Sequence, residues 1–207
     1  MTESNMHFLA NRINPEKLSY EVFGNLKEYI IMDVEFDANQ LPYSICAIHY
    51  RDGKEYRKFE GWAGEGALTP MKFIFLMENN PSKTFAQAQQ MTKLKMATDF
   101  KDWLETKIRK DVPIINYDNN KDSTSIYKVL KQRVVNPAYD MAQALQLRLG
   151  ELPTLEAYHA FMTGQPTQQE QYFFKGVPQK KGLHTASFDV NLIHNIMIVY
   201  SKLVDKS

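Results

Sequence analysis

One short stretch, Tyr29 to Phe36, constrains the fold of this chain more than any other, and its sequence is YIIMDVEF. Its first half is continuously apolar, and a short apolar run of this kind favours a buried strand. Its second half carries two acidic residues, Asp33 and Glu35. Because side chains alternate between the two faces of a strand, residues two apart project to the same side. The sequence therefore predicts a buried strand that ends with a pair of carboxylates on one face.

Two carboxylates on the same face repel each other unless a cation lies between them or one of them is protonated. For an isolated D-x-E, the commoner interpretation is a strand that ends in a solvated loop, where acids are frequent. The apolar residues before Asp33 and Glu35 favour a functional pair instead, because they bury the strand that holds both acids.

The segments after this strand predict a hairpin, then a helix and a further strand. Residues 43–50 and 55–62 are β-rich, and they flank an Asp52-Gly53 pair that is typical of a hairpin turn. Apolar residues at helical spacing predict a helix through residues 100–108. Residues 112–117 then predict a short strand. The first three strands are therefore expected to be antiparallel neighbours.

The second half of the chain is predicted to be mainly helical. Four helices are expected. The first starts at Asp122 or Ser123, and the second covers about 140–150. The third runs from an N-cap at Thr154 to Gly164, and the fourth covers about 187–203. Residues 165–182 lack clear periodicity, and we expect a long loop there. Strands that alternate with helices in this way predict an α/β domain with a mixed sheet.

A histidine and an acid flank the start of the last predicted helix, in the segment GLHTASFD. His184 and Asp189 are five residues apart, which does not place them on one helix face. Both can point at one site if His184 lies on the loop and Asp189 in the first turns of the helix. The simpler interpretations are a surface histidine and an acid favoured by the helix dipole.

Taken together, these motifs resemble those of a known enzyme family. D-x-E on the first strand, an Asp after a middle strand and H-x4-D at the last helix, in this order, resemble the three motifs of DnaQ-like DEDDh 3′→5′ exonucleases of the RNase H-like superfamily. The resemblance covers residues 28–200 and is nearest the branch that contains KapD-like and Eri-1-like exonucleases. It implies an RNase H-like α/β fold, with three antiparallel strands followed by parallel strands and flanking helices. We expect a single domain over residues 1–207, with a core at about 28–203 and an N-terminal extension over 1–27.

The middle motif departs from the family pattern. Relatives usually have an aromatic or apolar residue before the Asp, whereas Lys121 precedes Asp122 here. We prefer Asp122 because it adjoins the helix start and leaves room for a turn after the strand. Asp118 is the alternative, and Asp122 would then only cap the helix. Phe36 stands where relatives most often have Thr, which bears on the shape of the pocket for the terminal nucleotide.

The resemblance implies hydrolysis of phosphodiester bonds from the 3′ end of single-stranded DNA or RNA, with release of nucleoside 5′-monophosphates. The implied catalytic residues are Asp33, Glu35, Asp122, His184 and Asp189. The four acids would hold two Mg²⁺ or Mn²⁺ ions, hard cations that prefer carboxylate oxygens. Asp33 would bridge both ions, Glu35 and Asp189 would complete the site of the ion that binds water, and Asp122 would support the other ion. His184 would be the general base for that water.

The charge balance restricts how nucleic acid can be bound. The formal net charge is only +1, so binding must come from a local patch and not from a generally basic surface. Lys180 and Lys181, close to His184, and Phe36 are the candidate substrate-binding residues. Tyr172, Phe173 and Phe174 precede them, and aromatic side chains can stack on bases. The alternative is a solvated loop pinned by these aromatic residues.

Composition also bears on compartment. A single cysteine, Cys46, excludes a disulfide framework and favours a reducing cytosol. No apolar run has the length of a signal peptide or a membrane span, so we expect a cytoplasmic protein with no membrane association.

Three other functions remain open at this stage. They are a catalytically inactive DnaQ-like module that binds nucleic acid or protein, an endonuclease on an RNase H-like fold, and an interaction protein with acids placed by chance. The preference for DNA or RNA is also open, as are homodimer formation and recruitment by a replication, repair or RNA-processing partner.

Overall fold

A five-stranded mixed sheet organises the chain. The structure is a computed structural model that describes residues 21–64, 90–117, 121–149, 153–165, 170–174, 177–181 and 185–206. The strands of the sheet are β1 (Glu28–Phe36), β2 (Pro42–Arg51), β3 (Lys54–Trp62), β4 (Ile114–Asn116) and β5 (Ala138–Asp140). Their order is β3-β2-β1-β4-β5, with β1, β2 and β3 antiparallel and β4 and β5 parallel to β1. This confirms the predicted mixed sheet and the RNase H-like arrangement of its strands.

Helices cover both faces of this sheet. The described helices are α1 (Lys93–Lys107), α2 (Lys121–Leu130), α3 (Met141–Leu149), α4 (Leu155–Thr163) and α5 (Ala186–Val204). On one face, Ile31 of β1 belongs to the same buried cluster as Val190 of α5. On the other face, Ile30 of β1 shares a cluster with Phe100 of α1. Across the described ranges, no helix is long and apolar enough to cross a membrane.

The turn between β2 and β3 has the backbone that its sequence predicts. Asp52 has φ 48° and Gly53 has φ 71°, so both residues are in the left-handed region. Two-residue hairpin turns of this type need positive φ at both positions, and Asp-Gly provides it at the lowest steric cost. The predicted antiparallel hairpin is confirmed.

Strand β5 was not predicted, because Ala138–Asp140 has no apolar run like the one that predicted the equally short β4. The chain pairs there with β4 and then turns directly into α3. Asp140, the last residue of β5, is fully buried, and its Oδ1 accepts hydrogen bonds from the amide groups of Ala142 at 2.9 Å and Gln143 at 3.3 Å. Asp140 therefore caps α3.

The prediction of a long loop over residues 165–182 was wrong. The structure forms an antiparallel hairpin there, from β6 (Glu170–Phe174) and β7 (Val177–Lys181). Aromatic residues at 172–174 favour a strand. The segment lacks the alternation of apolar and polar residues by which a strand is predicted from sequence, and the pairing of its two strands identifies it.

A candidate metal centre

The two acids of β1 lie on the face of the strand that α5 covers. Odd-numbered residues of β1 face α5, as the packing of Ile31 against the α5 cluster shows. Asp33 and Glu35 continue this series toward the end of the strand, opposite Cys46 and Ser44 of β2. The predicted placement of both carboxylates on one face of a buried strand is therefore what the structure has.

Asp189 reaches the same place from α5. Thr185 is the N-cap of this helix, and its side chain accepts a hydrogen bond from the amide of Phe188 at 3.3 Å. Asp189 follows in the first turn. One carboxylate oxygen from each of Asp33, Glu35 and Asp189 lies within 4.8 Å of the other two. The structure thus brings the first and third sequence motifs together, and this acidic group can hold a metal ion.

Burial and crowding change the acidity of two of these groups. Burial, followed by the charge of Asp189, raises the pKa of Glu35 to about 8, while a hydrogen bond donated by the Tyr43 hydroxyl at 3.4 Å opposes the rise. Burial, followed by the charge of Glu156, raises the pKa of Asp189 to about 7. Near neutral pH these carboxyls retain protons unless a cation compensates their charge.

Glu156 is a functional candidate that the sequence analysis missed. It lies in the first turn of α4, after the N-cap Thr154, and its charge is close enough to Asp189 to raise the pKa of that carboxyl. An acid in the first turn of a helix is usually explained by the helix dipole. The sequence therefore contained no signal that distinguished Glu156 from an ordinary helix-start acid.

The acidic group fits a hard divalent cation. Its donors are carboxylate oxygens, the ligands that Mg²⁺ and Mn²⁺ prefer. Among the described residues, the buried Oδ1 of Asp189 has no hydrogen-bond partner, and neither has the Oγ of Ser44, which is 1% exposed and opposite Glu35. Buried polar atoms are normally satisfied. Such atoms beside three carboxylates fit a bound cation with its water ligands.

Asp122 lies near this group but outside it. It is in the first turn of α2 and is 1% exposed. Helix α2 follows β4, which is parallel to β1, so Asp122 is at the same edge of the sheet as Asp33 and Glu35. Its carboxylate does not belong to the group of three described acids within 4.8 Å. Asp118, the alternative for this motif, lies outside the described residues.

The other predicted site residues lie at the end of β1, in β7 and next to the start of α5. Phe36 is half-buried and ends β1, where the register with β2 shifts. Lys180 and Lys181 are in β7, at register positions opposite Gln171 and Glu170. His184 lies outside the described residues, directly before Thr185 in the sequence.

The likeness of this chain to known proteins is low. No family model matches it, and no curated protein matches it significantly. Solved structures do match, among them a crystal structure of SSB/Exonuclease I in complex with the inhibitor CFAM, with a TM-score of 0.44 and 10% sequence identity. The match covers 88% of this chain and 44% of that chain, so this chain spans less than half of its length. The function has to be argued from the carboxylates.

We expect the contribution of Glu35 and Asp189 to the free energy of unfolding, without divalent cations, to fall as the pH rises from about 4.5 to about 8. In the folded chain the pKa values of Glu35 and Asp189 are raised to about 8 and about 7, from usual values of 4.5 and 3.8. At these two residues the folded state binds more protons than the unfolded state in this window, so their contribution favours unfolding as the pH rises. Burial lowers the pKa values of His49, His159 and His194, and these histidines act in the opposite direction. Thermal unfolding in chelator across this pH range measures the effect.

Two variants test the origin of this slope. Glu35→Gln should flatten it, because the substituted side chain has no proton to lose. Asp111→Asn changes an acid that is 75% exposed, and it should leave the slope as in the wild type. The prediction is contradicted if the stability of Glu35→Gln relative to the wild type does not increase as the pH rises over this range.

Proposed function

We propose that this chain is a metal-dependent 3′→5′ exonuclease that removes nucleoside 5′-monophosphates from the 3′ end of single-stranded nucleic acid. The observation that carries the proposal is the meeting of Asp33, Glu35 and Asp189, from β1 and α5, within 4.8 Å. These residues come from the first and third motifs of the DEDDh pattern. Their chain order and their distance in sequence make a chance meeting of surface acids the weaker explanation.

Each acid has a defined task in this proposal. Asp33, Glu35 and Asp189 would hold the cation near which the attacking water binds, and Asp122 would support a second cation from the start of α2. Divalent cations at such a site lower the pKa of bound water and stabilise charge on the phosphate oxygens. Glu35 and Asp189 would give up their protons as the site fills, because a nearby positive charge favours the ionised carboxylate.

The remaining residues would act on the substrate. His184, next to the N-cap of α5, would accept the proton of the attacking water. Phe36, half-buried at the end of β1 beside the acids, would contact the terminal nucleotide. Lys180 and Lys181 would neutralise phosphates of the same strand.

A digestion experiment tests this function directly. Single-stranded DNA and RNA of equal sequence, labelled at either end, are incubated with Mg²⁺, Mn²⁺ or chelator. We expect 5′-labelled substrate to shorten progressively, 3′-labelled substrate to release a labelled mononucleotide at once, and chelator to stop both reactions. Degradation that continues in excess chelator, or release from the 5′ end, would contradict the proposal.

The same experiment separates the other candidate functions. Closed circular single-stranded DNA should resist the enzyme, since it has no 3′ end, and its cleavage would indicate an endonuclease. Binding of the labelled strands without cleavage under all metal conditions would indicate the inactive module.

We expect Asp122→Asn to lower kcat/KM by about 10- to 100-fold, the usual effect of removing a group that supports a metal through its waters. Asp118→Asn should change kcat/KM little. Asn has nearly the shape of Asp, so burial of Asp122 is not a reason for the fold to fail. Rates of both variants and their melting temperatures are compared with those of the wild type. The reverse ranking would place the middle motif at Asp118.

A further inference from the structure

The hairpin β6–β7 forms a sheet of its own in the described part of the chain. Its two strands pair with each other from Glu170 opposite Lys181 to Phe174 opposite Val177, and the five-stranded sheet contains neither of them. The fold of the main sheet therefore does not require this ribbon as a strand.

The composition of the ribbon differs from that of the chain as a whole. Residues 170–181 contain three lysines against one glutamate, whereas the whole chain has a net charge of +1. Three consecutive residues, Tyr172, Phe173 and Phe174, are aromatic. Because successive strand residues alternate between faces, positions 172 and 174 share one face of the ribbon and position 173 lies on the other. Positive charge and aromatic residues are thus combined on one small element.

The ribbon is also tethered beside the acidic group. Lys181 ends β7 only four residues before Thr185, the N-cap of α5. Four extended residues span at most about 14 Å. Asp189 lies in the first turn of the same helix. The end of the ribbon therefore lies within about 14 Å of the N-cap of the helix that carries Asp189.

We propose that the β6–β7 ribbon binds the single-stranded nucleic acid whose 3′ end is hydrolysed at the acidic group. This inference rests on the proposed function, which supplies the strand and its direction. Bases would stack on the aromatic residues at 172–174, and the phosphates would be neutralised by Lys180 and Lys181. Stacking accepts every base, so the ribbon would hold a strand without regard to its sequence.

Charge decides between nucleic acid and a protein partner. A chain with a net charge of only +1 needs a local basic element to bind a phosphate backbone. The ribbon is such an element, since it combines excess lysine with a position at the start of α5. A protein partner has no corresponding need for lysines and aromatic residues together at this place.

Binding is measured separately from hydrolysis. All proteins are full-length chains that carry Asp33→Asn, so that the probe is not consumed. The probes are 5′-fluorescein oligothymidylate and oligouridylate of about 15 nucleotides, within the length that one single-strand binding site covers. Fluorescence anisotropy gives the Kd and its dependence on salt, and the two probes distinguish DNA from RNA.

Two ribbon variants are compared with a matched control. Tyr172→Ala with Phe174→Ala should raise the Kd about 10-fold or more, the effect of losing stacking on at least one base. Lys180→Gln with Lys181→Gln should reduce the slope of log Kd against log salt by about 1.4, since each phosphate contact contributes about 0.7.

The control is Lys54→Gln with Tyr56→Ala on the β2–β3 hairpin. Both residues are exposed, and this turn adjoins the start of β1, at the opposite end from the acids.

The possible outcomes separate this inference from the proposed function. Loss of binding in the ribbon variants, with binding and melting temperature preserved in the control, supports the ribbon as the strand-binding element even if the unmodified chain hydrolyses nothing. Wild-type Kd and salt slope in both ribbon variants would overturn the inference, even if the unmodified chain is an active exonuclease. The lysine variants decide the question if the aromatic variant fails to fold.

Discussion

Replacement of Asp33 by Asn, or of Glu35 by Gln, is expected to reduce the hydrolysis of single-stranded nucleic acid by at least about 10³-fold, which corresponds to about 4 kcal/mol in the transition state. Each substitution removes a charged oxygen from a group of three that lies within 4.8 Å, and it keeps the shape of the side chain. A site that loses one of its anions binds a divalent cation more weakly, and the reaction depends on that cation.

The same substitutions should not weaken the fold. Without metal, repulsion between neighbouring acids and burial both make the charged form of this group costly, which is why the pKa values of Glu35 and Asp189 are raised. Removing one acid relieves this repulsion. We therefore expect a melting temperature in chelator that equals or exceeds that of the wild type.

Rates, metal affinity and melting temperature are measured for Asp33→Asn, Glu35→Gln and the control Asp111→Asn. The control also removes one acid, but from an exposed position beside Arg109, and all three quantities should stay at the wild-type level. Full activity in either site variant would show that the acidic group is not the place of hydrolysis. A melting temperature that falls in both site variants would show that these acids are needed for folding.

The second large effect is expected for His184→Ala. Turnover should fall by about 10²- to 10⁴-fold, the usual contribution of a general base. The affinity for Mn²⁺ should stay close to that of the wild type, because the proposed ligands are carboxylates. This split between kcat and metal binding follows from the proposed role, since a base acts on the chemical step and a ligand acts on occupancy of the site.

Calorimetric titration with Mn²⁺ and single-turnover rates across pH measure the two effects. Histidine side chains usually have a pKa of about 6.5. The wild-type rate should rise as the pH passes through this value, and His184→Ala should lack this rise. Added imidazole, which is itself a base, should restore part of the lost turnover. A large loss of Mn²⁺ affinity in the variant would mean that His184 binds the ion and is not the base.

Much of the local structure could be predicted because it depends on neighbouring residues alone. The apolar run before Asp33 identified β1, and the strand period of two placed Asp33 and Glu35 on one face. The Asp52-Gly53 pair predicted the hairpin turn, and the positive φ values of both residues confirm it. The fourth helix has the N-cap and the left-handed C-cap that Thr154 and Gly164 predicted.

Elements that lack a local signal could not be predicted. Strand β5 has three residues and exists because β4 lies beside it to pair with. The β6–β7 ribbon has no regular alternation of apolar and polar residues, and it is recognised by the pairing of its two strands. The pairing partner of β5 is distant in the sequence, since Ala138 lies opposite Ile114.

The sequence by itself determined the face of β1 on which Asp33 and Glu35 lie, because the strand period follows from backbone geometry. The tertiary structure decided which acids meet. Packing of α5 on β1 brings Asp189 to Asp33 and Glu35, packing of α4 places Glu156 near Asp189, and Asp122 remains outside the group of three. It also decided the chemistry of the group, because the raised pKa values of Glu35 and Asp189 come from burial and from neighbouring charges, and both exist only in the folded chain.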